Sequence, residues 1–160
     1  MPGGHIYIYT GLLKFLQAEH ELMAVLGNEI AYADKELAAI NIRETYGGVF
    51  IGQITLGGDI PELPEVLLSY PQMSYQEEAV MTADAYAIEL ICPFQYDVAG
   101  LKAFLIRAQD HNIEWINSKS SMALDSRLIN IDTSSADCGE GGVTNRNQYL
   151  KKIKNFLPAN

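Results

Sequence analysis

Apolar residues recur at helical steps near the start of the chain. Leu12, Leu13, Leu16, Met23 and Leu26 lie three and four residues apart or at multiples of those steps, which predicts a helix over 11–26 with one apolar face. Gly27-Asn28 is expected to end it, because both residues tolerate the left-handed backbone found just past helix ends. A short β-prone run, His5 to Tyr9, precedes the helix. Period two then takes over. Ile40 and Ile42 alternate with polar residues, Val49 to Leu56 is rich in β-branched side chains, and Gly47-Gly48 between them suits a tight turn, so 40–56 predicts a β-hairpin projecting from the core. Gly57-Gly58-Asp59 closes its second strand, and Pro61 and Pro64 lead into a short edge strand over 65–70.

Residues 71–78 predict a polar loop. The run 79–92 predicts a central strand, with Val80, Tyr86, Ile88, Leu90 and Cys92 on one face and Met81, Ala83, Ala85, Ala87, Glu89 and Ile91 on the other. Pro93 ends it. Asp97 is placed to cap a second helix whose core face is Val98, Leu101, Leu105 and Ala108, with Phe104 beside it and an end near 110–112. Ile113 to Ile116 fits strand and helix equally. Leu128 to Ile131 predicts a late strand and 132–142 a loop. Tyr149, Leu150, Ile153, Phe156 and Leu157 mark a C-terminal amphipathic helix stopped by Pro158. The expected fold class is therefore α/β (α+β), a mixed, mainly antiparallel sheet flanked by helices with a protruding hairpin. It forms a single domain over 1–160, its core at about 9–131 and residues 132–160 a loop plus helical extension.

Composition supports a folded chain: of 160 residues, 48% are hydrophobic and 19% charged, too apolar and too weakly charged for a disordered chain. A net charge of −9 makes phosphate-backbone binding a poor expectation, since that needs clustered Lys and Arg. The N-terminus lacks a basic region followed by an apolar run, and no apolar stretch approaches a membrane span, so a cytoplasmic protein is the expectation. Cys92 sits in an apolar run and Cys138 in a polar, glycine-rich one; they allow one disulfide but make no framework.

Motifs for chemistry are sparse. The glycine pairs at 47–48, 57–58 and 141–142 match neither G-x-G-x-x-G nor a P-loop. His5, His20 and His111 show no metal-ligand spacing among themselves; His20 predicts a core or boundary residue and His111 a helix-end partner. The loop at 132–140 holds Asp132, Asp137 and Glu140 but does not fit an EF-hand, and a Cys138 nucleophile has no recognisable base. Paired acids at Glu77-Glu78 and at Glu62 with Glu65 suit a solvated surface better than acid/base work across a cleft. No catalytic residue, metal site or cofactor is expected. Arg146, Lys151, Lys152 and Lys154 form a basic C-terminal face able to dock on an acidic neighbour.

The order of expected elements resembles that of the tail terminator, or tail completion, proteins of tailed bacteriophages over about residues 9–131. The nearest local likenesses are Tyr9-Thr10-Gly11-Leu12-Leu13, Leu63-Pro64-Glu65-Val66-Leu67-Leu68 and Tyr86-Ala87-Ile88-Glu89-Leu90. The resemblance implies a non-enzymatic virion structural protein: a homohexameric ring that closes the tail tube, joins it to the neck and lets DNA pass through an acidic lumen without sticking. Its implied partners are further copies of itself, the tail tube protein and a neck or connector protein, in the virion after assembly in the host cytoplasm. Candidate contacts are Tyr46, Val49, Ile51 and Gln53 on the hairpin, Met73, Tyr75, Glu77 and Glu78 on the following loop, and Arg146, Lys151, Lys152 and Lys154 near the C-terminus. The alternatives are a neck or head–tail connector subunit, a small cytoplasmic enzyme with its site at a subunit boundary built on Asp132, Asp137 and Cys138, and a non-catalytic binding or regulatory module.

Overall fold

The run at 79–92 is a helix, not a strand. In the computed structural model, which describes residues 6–56, 74–113, 122–139 and 141–157, Glu77–Ile91 is continuously α-helical. Its buried residues are Val80, Ala83, Asp84, Ala87, Ile88 and Ile91, steps of three and one that trace a single helical stripe. Four alanines and fifteen residues suit a helix and overrun a typical strand. Glu77 and Glu78 lie in its first turn, where carboxylates complement the helix dipole.

The same change of period, from two to 3.6, occurs at 40–56 and 128–131. The helices are α1 (Thr10–Phe15), α2 (Glu19–Asp34), α3 (Leu37–Leu56), α4 (Glu77–Ile91), α5 (Gly100–Asp110), α6 (Leu124–Ser135) and α7 (Arg146–Phe156), with a 3-10 turn at Cys92–Phe94. Among the described residues there is no strand or sheet, which overturns the mixed α/β expectation; an isolated parallel bridge joins Tyr96 to Val143. The expected hairpin at 40–56 is α3, with Gly47-Gly48 inside it at a cost of about 1 kcal/mol per glycine relative to alanine. Its inner side begins with Leu37, Ala38 and Asn41, a helical spacing that the alternation at 40 and 42 masked. The expected late strand at 128–131 lies within α6. Helix α5 and the amphipathic α7 form close to where the pattern placed them. The expected turn at 57–59, edge strand at 65–70 and most of 113–116 lie outside the described residues.

Gly27 does not stop the first long helix, which breaks earlier, at 16–18, and then runs through to Asp34. The absent side chain matters for packing. A Cβ at Gly27 would lie 3.1 Å from the Ala87 Cα, so the glycine brings α2 and α4 backbone to backbone. These two helices form the most extensive pairing, with α5 and α6 laid against them. Gly27→Leu is expected to lower stability by about 1–3 kcal/mol through overpacking, although leucine is the better helix former. Urea denaturation checks this, and a stabilised variant would contradict the close approach.

One core cluster gathers Leu16, Val25, Ile88, Ile91, Leu101, Phe104, Leu105, Ile131 and Tyr149; a second gathers Ala31, Tyr32, Leu37, Tyr75, Val80 and Ala83. Each large aliphatic side chain fully buried there contributes about 1.5–3 kcal/mol. The C-terminal segment closes over the N-terminal half. Cys92 and Cys138 are disulfide-bonded. The Val143 N–H donates to the Gln95 carbonyl at 2.8 Å, and the N–H groups of Glu19 and His20 donate to the Thr144 carbonyl at 3.1 and 3.4 Å. Ala18 has no side chain able to cap α2, so this distant carbonyl satisfies two of its first-turn donors. Among the described residues no helix is long and apolar enough to cross a membrane.

Candidate functional site

Helix α2 carries an unusual load of polar groups on its buried side: His20, Glu21 and Asn28 lie inward with Ala24, Val25, Gly27, Ala31 and Tyr32. Glu21 and Asn28 find partners there, because desolvation without one costs more than most core contacts contribute. Two arginine–carboxylate clusters result.

The deeper cluster joins α2, α4 and α6. Asp84 is 0% exposed. Its Oδ1 accepts from the Asn28 Nδ2 at 2.8 Å and from the Arg127 Nη2 at 2.6 Å, and its Oδ2 accepts from the Arg127 Nε at 2.9 Å. The guanidinium thus grips the carboxylate with two parallel bonds. Burial works against the Arg127 charge, yet the hydrogen bonds and charge of Asp84, with Tyr32 beside it, hold its pKa above the ordinary arginine value. The Tyr32 ring packs on Tyr75 with centroids 4.5 Å apart.

The second cluster joins α2, α5 and α7. Glu21 receives both terminal nitrogens of Arg107 and the Gln17 backbone N–H. The guanidinium lies over the Phe15 ring, which also meets Phe104 and His111 edge-on. Tyr149 donates to the Leu13 carbonyl at 2.7 Å, and burial, reinforced by the Glu21 charge, pushes its phenol up to about 12. The neutral phenol is therefore favoured in the fold. Its contribution to stability is complete below pH 10 and is lost as pH rises from there through about 12. Tyr149→Phe is expected to flatten the fall in stability across that window, measured by urea unfolding at stepped alkaline pH. An unchanged slope would refute the assignment.

His20 packs against Gly100, where a Cβ would lie 2.7 Å from the His20 carbonyl oxygen, and its Nδ1 is buried with no hydrogen-bond partner. His111 is the residue after α5, as its expected helix-end place required, and its N–H donates to the Arg107 carbonyl.

The expected contact residues fall on several elements. Tyr46 is half-buried on α3, and Tyr75 is buried in the second core cluster. Glu77 and Glu78 are exposed on α4, while Arg146, Lys151, Lys152 and Lys154 are exposed on α7. Val49, Ile51 and Gln53 fall in α3 with side chains outside the described residues, as does Met73 altogether. The enzyme alternative loses its nucleophile, since Cys138 is held in the disulfide; Asp132 pairs with Lys102 at 2.6 Å and Asp137 is exposed.

Comparison with known proteins gives a different direction. Residues 1–60 match the family model of peptidase family M48. No curated protein matches the chain. The match covers 60 of 160 residues and falls on α1, α2 and α3. It replaces the tail-terminator resemblance, whose strand and hairpin are helices here. The virion and structural-protein expectations fall with it. The expectation of a protein without enzyme chemistry is overturned too, because the matched family is one of metallopeptidases.

A zinc peptidase motif of the H-E-x-x-H kind sets two imidazoles one helical turn apart, with a glutamate between them as general base. Two stretches of α2 keep its glutamate: His20-Glu21-Leu22-Met23-Ala24 and Asn28-Glu29-Ile30-Ala31-Tyr32. Neither keeps two histidines. In the first, Ala24 is fully buried and Glu21 is bound to Arg107. In the second, Asn28 and Tyr32 occupy the ligand positions, and the Asn28 nitrogen is turned toward Asp84. No group of three His, Cys, Asp or Glu side chains able to hold a metal occurs among the described residues. The residues present therefore do not fit zinc. Neither stretch carries a complete ligand set, which is why neither stands out in the sequence as a metal motif; the shared glutamate at helical spacing was the available signal.

Proposed function

We propose that this chain is a peptidase-related protein that acts on polypeptides. The match of residues 1–60 to peptidase family M48 carries this reading. What supports it in the fold is that the matched residues supply α2, whose inward face carries His20 and Glu21 of the first stretch and Asn28 and Tyr32 of the second, against the other core helices. The Cys92–Cys138 bond supports an oxidising compartment as the place of work, rather than the cytoplasm expected from the sequence.

The test uses the full chain and a fluorescently labelled unfolded casein. Gel electrophoresis over time reads cleavage, and fluorescence anisotropy of the same mixture reads binding. Cleavage or saturable binding is expected. A chain that neither cuts nor binds the polypeptide would overturn the reading.

A further inference from the structure

We infer that the Arg127 guanidinium is the resident cation of the α2–α4 site, and that the stretch Asn28 to Tyr32 binds no zinc. The inference relies on the M48 likeness for the choice of positions; the rest comes from the geometry.

Zinc in proteins takes its ligands from Cys sulfur, His nitrogen and Asp or Glu oxygen. The first ligand position of the stretch holds an amide whose nitrogen donates to Asp84. The second holds a phenol packed on Tyr75. The nearby buried carboxylate is already committed, with Asn28 and Arg127 on one oxygen and Arg127 on the other. A divalent ion entering here would meet a fixed positive charge on Arg127, itself 7% exposed and unable to move away into water without abandoning Asp84. A metal site and this cluster are thus alternatives. In a metal site a cation ties together donors from different helices; here Arg127, reaching in from α6, ties Asp84 of α4, and through it Asn28 of α2.

The experiment is a calorimetric titration of zinc into the full chain after dialysis against EDTA, repeated on the double variant Glu29→Gln with Tyr32→Phe, with thermal unfolding measured in EDTA and in zinc. The expected result is no zinc uptake, or uptake that the double variant retains in full because it occurs elsewhere, with a Tm unmoved by EDTA. One zinc per chain, lost in the double variant and accompanied by a Tm that falls on chelation, would overturn the inference. That outcome would at the same time strengthen the peptidase reading. Conversely, a chain inert toward casein would leave the metal titration unaffected, so the two failures are distinguishable.

Discussion

Asp84→Ala is expected to lower the stability of the folded chain by about 3–5 kcal/mol, seen as a lower urea midpoint at unchanged slope. The size follows from what remains rather than from what is removed. Arg127 is buried, its guanidinium is turned inward to Asp84, and without the carboxylate its charge is left in a low-dielectric interior with the Asn28 amide also deprived of its acceptor. Ordinary core truncation at this size would cost less. The pair itself need not stabilise the fold relative to an apolar equivalent. Asp84→Leu combined with Arg127→Met is expected to recover most of the loss, short of the cost of the unpartnered Asn28 amide. A loss below about 1 kcal/mol in Asp84→Ala would show that the guanidinium finds water or another acceptor.

Removing the disulfide has the second largest expected effect. Cys92 and Cys138 lie 46 residues apart in sequence. Constraining a loop of that length in the unfolded chain is worth about 4 kcal/mol in the chain-entropy account, and measured values for native disulfides fall at about 2–5 kcal/mol. Cys92→Ser with Cys138→Ser should lose that amount in urea unfolding, and adding reductant to the native chain should reproduce the loss. Reductant should then do nothing to the double variant. A native midpoint that ignores reductant would mean that the bond is not formed or does not constrain the unfolded state.

The parts of the fold legible in the sequence were those with a clean helical stripe and a polar opposite face. Leu101, Phe104, Leu105 and Ala108 on α5 are the clearest case, and Tyr149 on α7 is another. Helix α4 reads as a strand because its run is apolar nearly all round, so periods of two and of 3.6 both fit; alanine content and length carry the missing information. In α3, β-branched residues and a glycine pair point locally to a hairpin, and tertiary packing overrides them. The site was less legible still. Asp84 and Arg127 are 43 residues apart, and a buried ion pair leaves no local mark in sequence. An acid inside an apolar run, as Asp84 is, calls for a partner, but nothing in the sequence says which of the basic residues supplies it.

The covalent link between Cys92 and Cys138 also changes what a proteolysis experiment can see. Any single cut between those residues opens the chain without releasing a fragment, since the two pieces stay joined through sulfur. On a non-reducing gel the nicked and intact proteins differ in shape but not in mass. For a chain read as related to peptidases this matters directly: self-cleavage in that interval would go uncounted unless the samples were reduced before they were separated.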